Sequence, residues 1–268
     1  MRYISWNCRG LGSSLKEAAL KDLIQRHNPE ILLVQETKLE EVVLLQSGKS
    51  FWKKGPGIAI NSRGASGGIG TFWDSGIYDL EYEESTLHWI FTKFIHKPSG
   101  QTVSIFNLYV PVLFSEKKSC WNSLESALNR IQPNNFFIAG DLNVTLAANE
   151  KKGGSPVRDP AREWVEDIIL GWDLMDIKPV KGKFTWSNKR LGPGHIAAHL
   201  DRFLVHSSFL SLGLLASSKI LPNTTSDHKP ILLELALDLN LGPIPFRFSP
   251  IWIHHDDFLN VVSESWST

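Results

Sequence analysis

The chain has 268 residues, 42% of them hydrophobic and 21% charged, which is the balance of an ordinary globular protein with a sizeable core. Its 28 basic and 28 acidic side chains cancel, so overall charge gives no attraction to nucleic acid, and any such affinity has to come from local patches. The apolar stretches are strand-length and far short of the ~20 residues that span a bilayer, and the start of the chain lacks the apolar region of a secretory signal. An intracellular protein in the nucleus or cytoplasm, without membrane contact, is expected. Cys8 and Cys120 are read as reduced thiols, since two cysteines make no framework.

Strand and helix signals alternate along residues 1–237, and no repeat or linker divides them. Tyr3 to Cys8 reads as a first strand, Ser14 to His27 as a capped amphipathic helix ended by Asn28-Pro29, and Ile31 to Gln35 as a buried strand. Glu36 then falls at that strand's carboxyl end. From Ile58 to Tyr109 short β-rich runs predict antiparallel sheet, with turns at Gly67-Gly68 and Ser99-Gly100. Helical periodicity covers Ser115 to Ile131 and Pro160 to Leu170, and Phe136 to Ala139 is a short strand ahead of Gly140-Asp141. Phe184 to Ser187, Leu200 to Val205, Ser217 to Leu221 and Ile231 to Leu235 complete the strands. The pattern fits an α/β fold of two packed sheets flanked by helices. Residues 238–268 differ: Gly242, Pro243, Pro245 and Pro250 punctuate a linker, and Trp252 through Trp266 reads as helical.

Polar residues stand where several of these strands meet loops, the places at which a sheet protein assembles a site from rigid supports. They are Asn7, Glu36, Asp141, Asn143 and Asp227. Glu36 suits a hard divalent cation such as Mg²⁺, which one or two carboxylates and a substrate phosphate commonly hold. Asp141 and Asn143 straddle Leu142 and face one way on an extended backbone, as a proton-accepting carboxylate and an orienting amide would. Each also suits an ordinary turn. His228 can carry a proton towards a phosphate oxygen, with Asp201 the better partner for it because Asp227, adjacent in sequence, points elsewhere. The Tyr109 phenol can donate to a phosphate or cap the core. Lys181, Lys183, Lys189 and Arg190 surround Phe184 and Trp186 in a basic-aromatic segment suited to a nucleic-acid backbone. His195 and His199 have no third ligand and their spacing is broken by Gly192-Pro193-Gly194, which argues against zinc.

Taken in order, Trp6-Asn7, Gln35-Glu36-Thr37, residues 107–111, Gly140-Asp141-Leu142-Asn143, Leu200-Asp201-Arg202-Phe203 and Ser226-Asp227-His228 resemble the endonuclease/exonuclease/phosphatase superfamily, of DNase-I-like nucleases, over residues 1 to about 237. More narrowly, residues 5–12, 35–38, 184–188 and 200–205 look like the endonuclease domain of plant LINE-type non-LTR retrotransposon polyproteins. Phe246-Arg247-Phe248 and Trp252 resemble the stretch before their reverse transcriptase. The resemblance implies a four-layered α/β sandwich of two mainly antiparallel sheets, acting as a monomer and nicking one strand of DNA with Mg²⁺, or Mn²⁺ in its place. It implies metal binding by Glu36, Asn7 and Asp227; catalytic roles for Asp141, Asn143, His228, Asp201, Tyr109 and Asn7; and DNA contacts from Thr185, Lys183, Trp186, Lys189 and Arg190. Arg9 departs from relatives that carry a second acid there, and Val112 from those with Asn. Two other readings stay open: a phosphoesterase of the same fold acting on a small phosphorylated molecule, and a decayed nucleic-acid-binding module without catalysis.

Overall fold

A computed structural model describes residues 1–64, 66–155, 159–237, 252–253, 255 and 257–266. The chain opens with β1 (Arg2–Asn7), α1 (Ser14–His27), β2 (Ile31–Gln35) and α2 (Glu41–Phe51). Five strands follow: β3 (Gly57–Arg63), β4 (Ser66–Trp73), β5 (Tyr78–Ser85), β6 (Trp89–His96) and β7 (Gln101–Tyr109). Next come α3 (Phe114–Ile131), β8 (Phe136–Asp141), the two-residue β9 (Lys151–Lys152), α4 (Arg162–Gly171) and β10 (Leu174–Asp176). The remainder is β11 (Trp186–Ser187), β12 (Ala197–Ala198), β13 (Asp201–His206), α5 (Ser208–Ser211), β14 (Leu214–Ile220), β15 (Ile231–Leu237) and α6 (Phe258–Trp266).

The strands form two six-stranded sheets, ordered β14-β15-β1-β2-β4-β3 and β10-β13-β8-β7-β6-β5, with a small third sheet β11-β12-β9. Each large sheet contains one parallel pair, β1 with β2 and β7 with β8, among antiparallel neighbours. Because successive side chains point to opposite faces of a strand, Tyr3, Ile31, Leu33, Ile105, Phe137, Ala139, Phe203 and Leu233 meet in one core between the sheets. The alternate residues Ile4, Trp6, Leu32 and Val34 point outward and pack with Leu20, Leu23 and Ile24 of α1 and Leu44 and Phe51 of α2. On the second sheet, Trp89 donates to Ser123 of α3 at 3.2 Å, and Phe136 meets Trp172, just after α4, edge-on. The expected four-layered sandwich is the observed architecture.

Local chemistry sets the element ends. α1 begins at Ser13, whose hydroxyl accepts from Lys16 N, and ends at Asn28 in the left-handed region, where asparagine is among the better tolerated residues. The first β-hairpin differs from expectation. Gly67 and Gly68 lie inside β4, not in the turn. Gly68 has φ +82°, and a Cβ there would stand 2.4 Å from Thr37 Oγ1, so glycine serves a close approach of two chain segments. α2 occupies residues that carry no clear periodic signal.

The chain divides into two compact units, Met1–Leu237 and Asp238–Thr268. The helix of the second unit is shorter than expected and covers Phe258–Trp266. The Pro/Gly-rich residues 242–250 lie outside the described residues.

Candidate active site

Strand alternation carries the site. In β1, Asn7 shares the face of Tyr3; in β8, Asp141 shares that of Phe137 and Ala139; in β13, Asp201 shares that of Phe203 and Val205. In β7, Asn107 and Tyr109 follow Ile105 on the inner face. All of these positions therefore reach the seam between the sheets at one rim. Gly140 makes the last step possible: its φ is +142°, and a Cβ there would lie 1.9 Å from the Leu108 carbonyl oxygen.

Across the seam the side chains pair, one member from each sheet. Asn7 Nδ2 donates to Asp141 Oδ2 at 2.9 Å, and the Tyr109 hydroxyl donates to Glu36 Oε1 at 2.7 Å. His228, on the loop entering β15, has Nδ1 2.9 Å from Asp201 Oδ2. Beneath them Gln35 Nε2 donates to Asn107 Oδ1 at 2.7 Å. Asn143 N donates to Asp141 Oδ1 at 2.9 Å, and Asn143 Nδ2 donates to the Val110 carbonyl at 2.7 Å. Asn7, Glu36, Asp141, Asp201 and His228 are all buried.

Concentrated carboxylates dominate the electrostatics. Burial pushes the Asp141 carboxyl above its usual range, although His228 pulls it back. Burial alone would lower His228, but Asp201 and then Asp141 override it and raise its pKa to about 9, which leaves an imidazolium at neutral pH. With Nδ1 committed to Asp201, the other nitrogen, Nε2, stands 3.7 Å from Asp141 Oδ2. Burial and the bond to Glu36 drive the Tyr109 phenol far above its usual pKa, so it stays a donor.

Asp141, Asp201 and His228 offer ligand atoms within 4.8 Å of one another, close enough for a metal ion. Their mutual bonds fit a proton-handling set better, since a metal would have to displace the His228–Asp201 contact. Glu36 fits a hard cation on a separate ground. Its Oε2 is buried without a hydrogen-bond partner, a state that coordination to a cation would relieve. Asp227 lies beside it, with Oδ2 accepting from Trp186 Nε1 at 3.0 Å. Asn7 Oδ1 accepts from Arg9 N at 3.1 Å, so its amide chiefly ties Arg9 and Asp141 together.

The structure thus gathers Asn7, Glu36, Tyr109, Asp141, Asn143, Asp201, Asp227 and His228 at one rim. Lys183, Lys189 and Arg190 are exposed, and Trp186 is half-buried beside Asp227. Thr185 is different. Expected to face DNA, it is wholly buried, and its hydroxyl accepts from both Leu200 N and Asp201 N at 3.0 Å, which fixes the backbone under Asp201. Several supports were not legible. Ser226 Oγ donates to the Asn7 carbonyl at 3.0 Å and accepts from His228 N at 3.1 Å, while Lys117 Nζ donates to the Asn143 carbonyl at 2.6 Å. On the outer side of β13, buried Arg202 binds Glu150 and Asp176, and Glu150 Oε2 also accepts from Leu146 N at 2.7 Å. The loop after Asp141 and the strand of Asp201 are thereby tied together; the only sequence signal was Arg202 standing next to Asp201. Beside Asn143 and Trp186 opens a cleft of about 490 Å³, whose walls include Val112, Phe114, Lys117 and Leu200.

Two stacked mixed sheets with helices outside and an acid–amide–imidazole seam at one rim define a DNase-I-like α/β sandwich. Residues 4–228 match the Endonuclease/Exonuclease/phosphatase family, and the chain belongs to it. Similar solved structures include an AP endonuclease from Leishmania major, with TM-score 0.69 at 18% identity over 87% of this chain and 86% of that one. The catalytic domain of Xenopus laevis APE2 has TM-score 0.69 at 17% identity, covering 88% of this chain and 91% of that one. A mannosyl-6-phosphatase of Bacteroides thetaiotaomicron reaches 0.65 at 15%, covering 88% and 99%. In sequence the chain is 24% identical over 177 residues to an uncharacterized 149 kDa protein of transposon TX1 from Xenopus laevis, a match covering 63% of this chain and 13% of that protein. Among the described residues no helix is long and apolar enough to cross a membrane.

Proposed function

We propose that the protein is a Mg²⁺-dependent DNA endonuclease that hydrolyses a phosphodiester and nicks one strand, as at the start of target-primed retrotransposition. The observation that carries this reading is the His228–Asp201 pair, with the free His228 nitrogen 3.7 Å from Asp141 Oδ2. A proton acceptor and a proton-bearing cation sit side by side, where an attacking water and a phosphate oxygen would be neighbours. Asp141 accepts the proton of water; the raised carboxyl pKa suits that role. Asn7 and the Asn143 backbone hold its two oxygens in place. His228, kept protonated and oriented by Asp201, donates to the phosphate oxygen on which charge builds. Tyr109 fixes Glu36 by one oxygen and leaves the other for Mg²⁺, beside Asp227. When bound there, the ion would offset phosphate charge and activate water.

DNA is favoured as substrate by the exposed Lys183, Lys189 and Arg190 around Trp186, a basic-aromatic surface whose ring nitrogen bonds Asp227 at the site itself. The transposon relative, a 149 kDa protein of which the match covers 13%, supports a place within a longer polyprotein, in which this reading sets a reverse transcriptase downstream. The test is nicking of supercoiled plasmid with Mg²⁺, with and without chelator, run beside release of phosphate from inositol phosphates and sugar phosphates. Chelator-sensitive nicking, lost in His228→Ala, is expected. Phosphate release without nicking would replace this reading by that of a small-molecule phosphatase, and DNA binding without either reaction by that of an inert module.

A further inference from the structure

Arg9 belongs to no step described so far, yet its guanidinium stands between the two carboxylates assigned to the cation. Arg9 Nε lies 3.4 Å from Glu36 Oε2 and 3.6 Å from Asp227 Oδ1. Neither contact is a hydrogen bond, since Glu36 Oε2 has no such partner and the second distance is too long. The attraction is Coulombic only. Backbone and head group also differ in how firmly they are held. Arg9 has φ +49°. Its segment is fixed by Cys8 N to Gln35 O at 3.0 Å, Gly10 N to Glu36 O at 2.6 Å and Leu11 N to Thr37 O at 2.8 Å. Lys16 Nζ clamps it further by donating to the Cys8 carbonyl at 2.7 Å and the Arg9 carbonyl at 2.5 Å. The Arg9 side chain, by contrast, is 44% exposed, against 7% for Glu36. A rigid stem thus carries a loosely held cation over a buried acid.

We propose that Arg9 is an internal counter-cation, whose guanidinium screens Glu36 and Asp227 from each other in the metal-free protein and moves out to solvent when a divalent cation takes its place. The proposal rests on the assignment of Glu36 to metal. Two carboxylates brought together with no cation repel each other and resist burial; Arg9 relieves this before metal arrives, and the same attraction then competes with the metal. The chain would therefore fold without Mg²⁺ at the expense of Mg²⁺ affinity.

The test is calorimetric titration of the DNA-free protein with MgCl₂, together with melting curves in chelator and in Mg²⁺. Arg9→Met keeps the apolar stem and removes the charge; Arg9→Gln repeats the measurement in a polar form should the Met variant fold poorly. Both are expected to bind Mg²⁺ about fivefold more tightly, the scale of a partly exposed ion pair. They should also melt lower than wild type in chelator and gain more from Mg²⁺ than wild type gains. Unchanged or weaker Mg²⁺ binding, with no larger gain in melting temperature, overturns the proposal. Glu36→Gln separates the two levels of failure. If it abolishes Mg²⁺ binding while the Arg9 variants bind like wild type, only the role of Arg9 falls; if it binds like wild type, the assignment of Glu36 falls and the proposal with it.

Discussion

His228 Nδ1 meets Asp201 Oδ2 at 2.9 Å, and the pair joins a loop of one sheet to a strand of the other. Asp201 both orients the ring and supplies the largest upward push on its pKa, which reaches about 9 against the downward pull of burial. His228→Ala should lower plasmid nicking about a hundredfold or more, the usual cost of losing a donor to developing charge. Asp201→Asn should cost less near pH 6 and progressively more as pH rises, because the imidazole then loses its proton earlier. A pH profile of nicking for the two variants checks this, with circular dichroism to confirm that both fold.

The Tyr109 hydroxyl is committed to Glu36 Oε1 at 2.7 Å, so in the proposed reaction it holds the acid rather than the substrate phosphate. Tyr109→Phe frees that carboxylate to move. Hydrogen bonds to charged groups contribute about 1.5–3 kcal/mol, so the Mg²⁺ concentration for half-maximal nicking should rise about tenfold. The rate at saturating Mg²⁺ should change much less, and a Mg²⁺ titration of the nicking rate separates the two effects.

Thr185 is a support under Asp201. Thr185→Val keeps the shape and leaves Leu200 N and Asp201 N without their acceptor, at a cost of about 1–3 kcal/mol for each buried donor left unpaired. Thr185→Ser restores the oxygen and should recover most of the loss. Urea unfolding measures the stability, and DNA affinity should stay near that of wild type because Thr185 is wholly buried.

Acid stability should be governed by the ion network behind β13. Burial, followed by nearby Arg202, depresses His199 to about 4, so the folded protein keeps it neutral. Burial alone would raise Glu150, but Arg202 and Lys178 bring it down to about 2. Below about pH 6.5 the unfolded chain takes up a proton at His199 that the folded chain refuses, so the His199 contribution to stability falls as pH drops from 6.5 towards 4, while the raised Asp141 carboxyl contributes in the opposite sense. Glu150 adds a second fall from about 4.3 towards 2, where its ionised, paired form is finally lost. His199→Leu should flatten the first part of the curve and leave the second in place, as read from melting temperature against pH.

Much of this was visible in the residues. α1 and β2 could be placed because capping and buried runs mark them, and the ordered motifs pointed to the rim that Asn7, Glu36, Asp141, Asp201 and His228 share. The facing of the strands was less legible. β1, β2, β8 and β13 are covered on both sides, so their apolar residues do not alternate with polar ones, and the inward turn of Asp141 or Asp201 leaves no trace in hydropathy. Thr185 was misread because a hydroxyl in a basic-aromatic segment looks ready for a ligand, whereas a backbone acceptor role depends on a strand sixteen residues away. The Ser226, Lys117 and Arg202 supports likewise depend on partners distant in sequence. In β4 the paired glycines look like a turn, but Gly68 meets the close approach of Thr37 and Gly67 takes a positive φ of +75° inside the strand.

The seam-crossing bonds make the chemistry a gauge of how tightly the two halves of the sandwich are pressed together. A small core truncation that lets them drift apart by a fraction of an ångström would loosen the acid, the imidazole and the cation holder at once, while leaving every strand intact. Heating should accordingly silence such a protein some degrees before it melts.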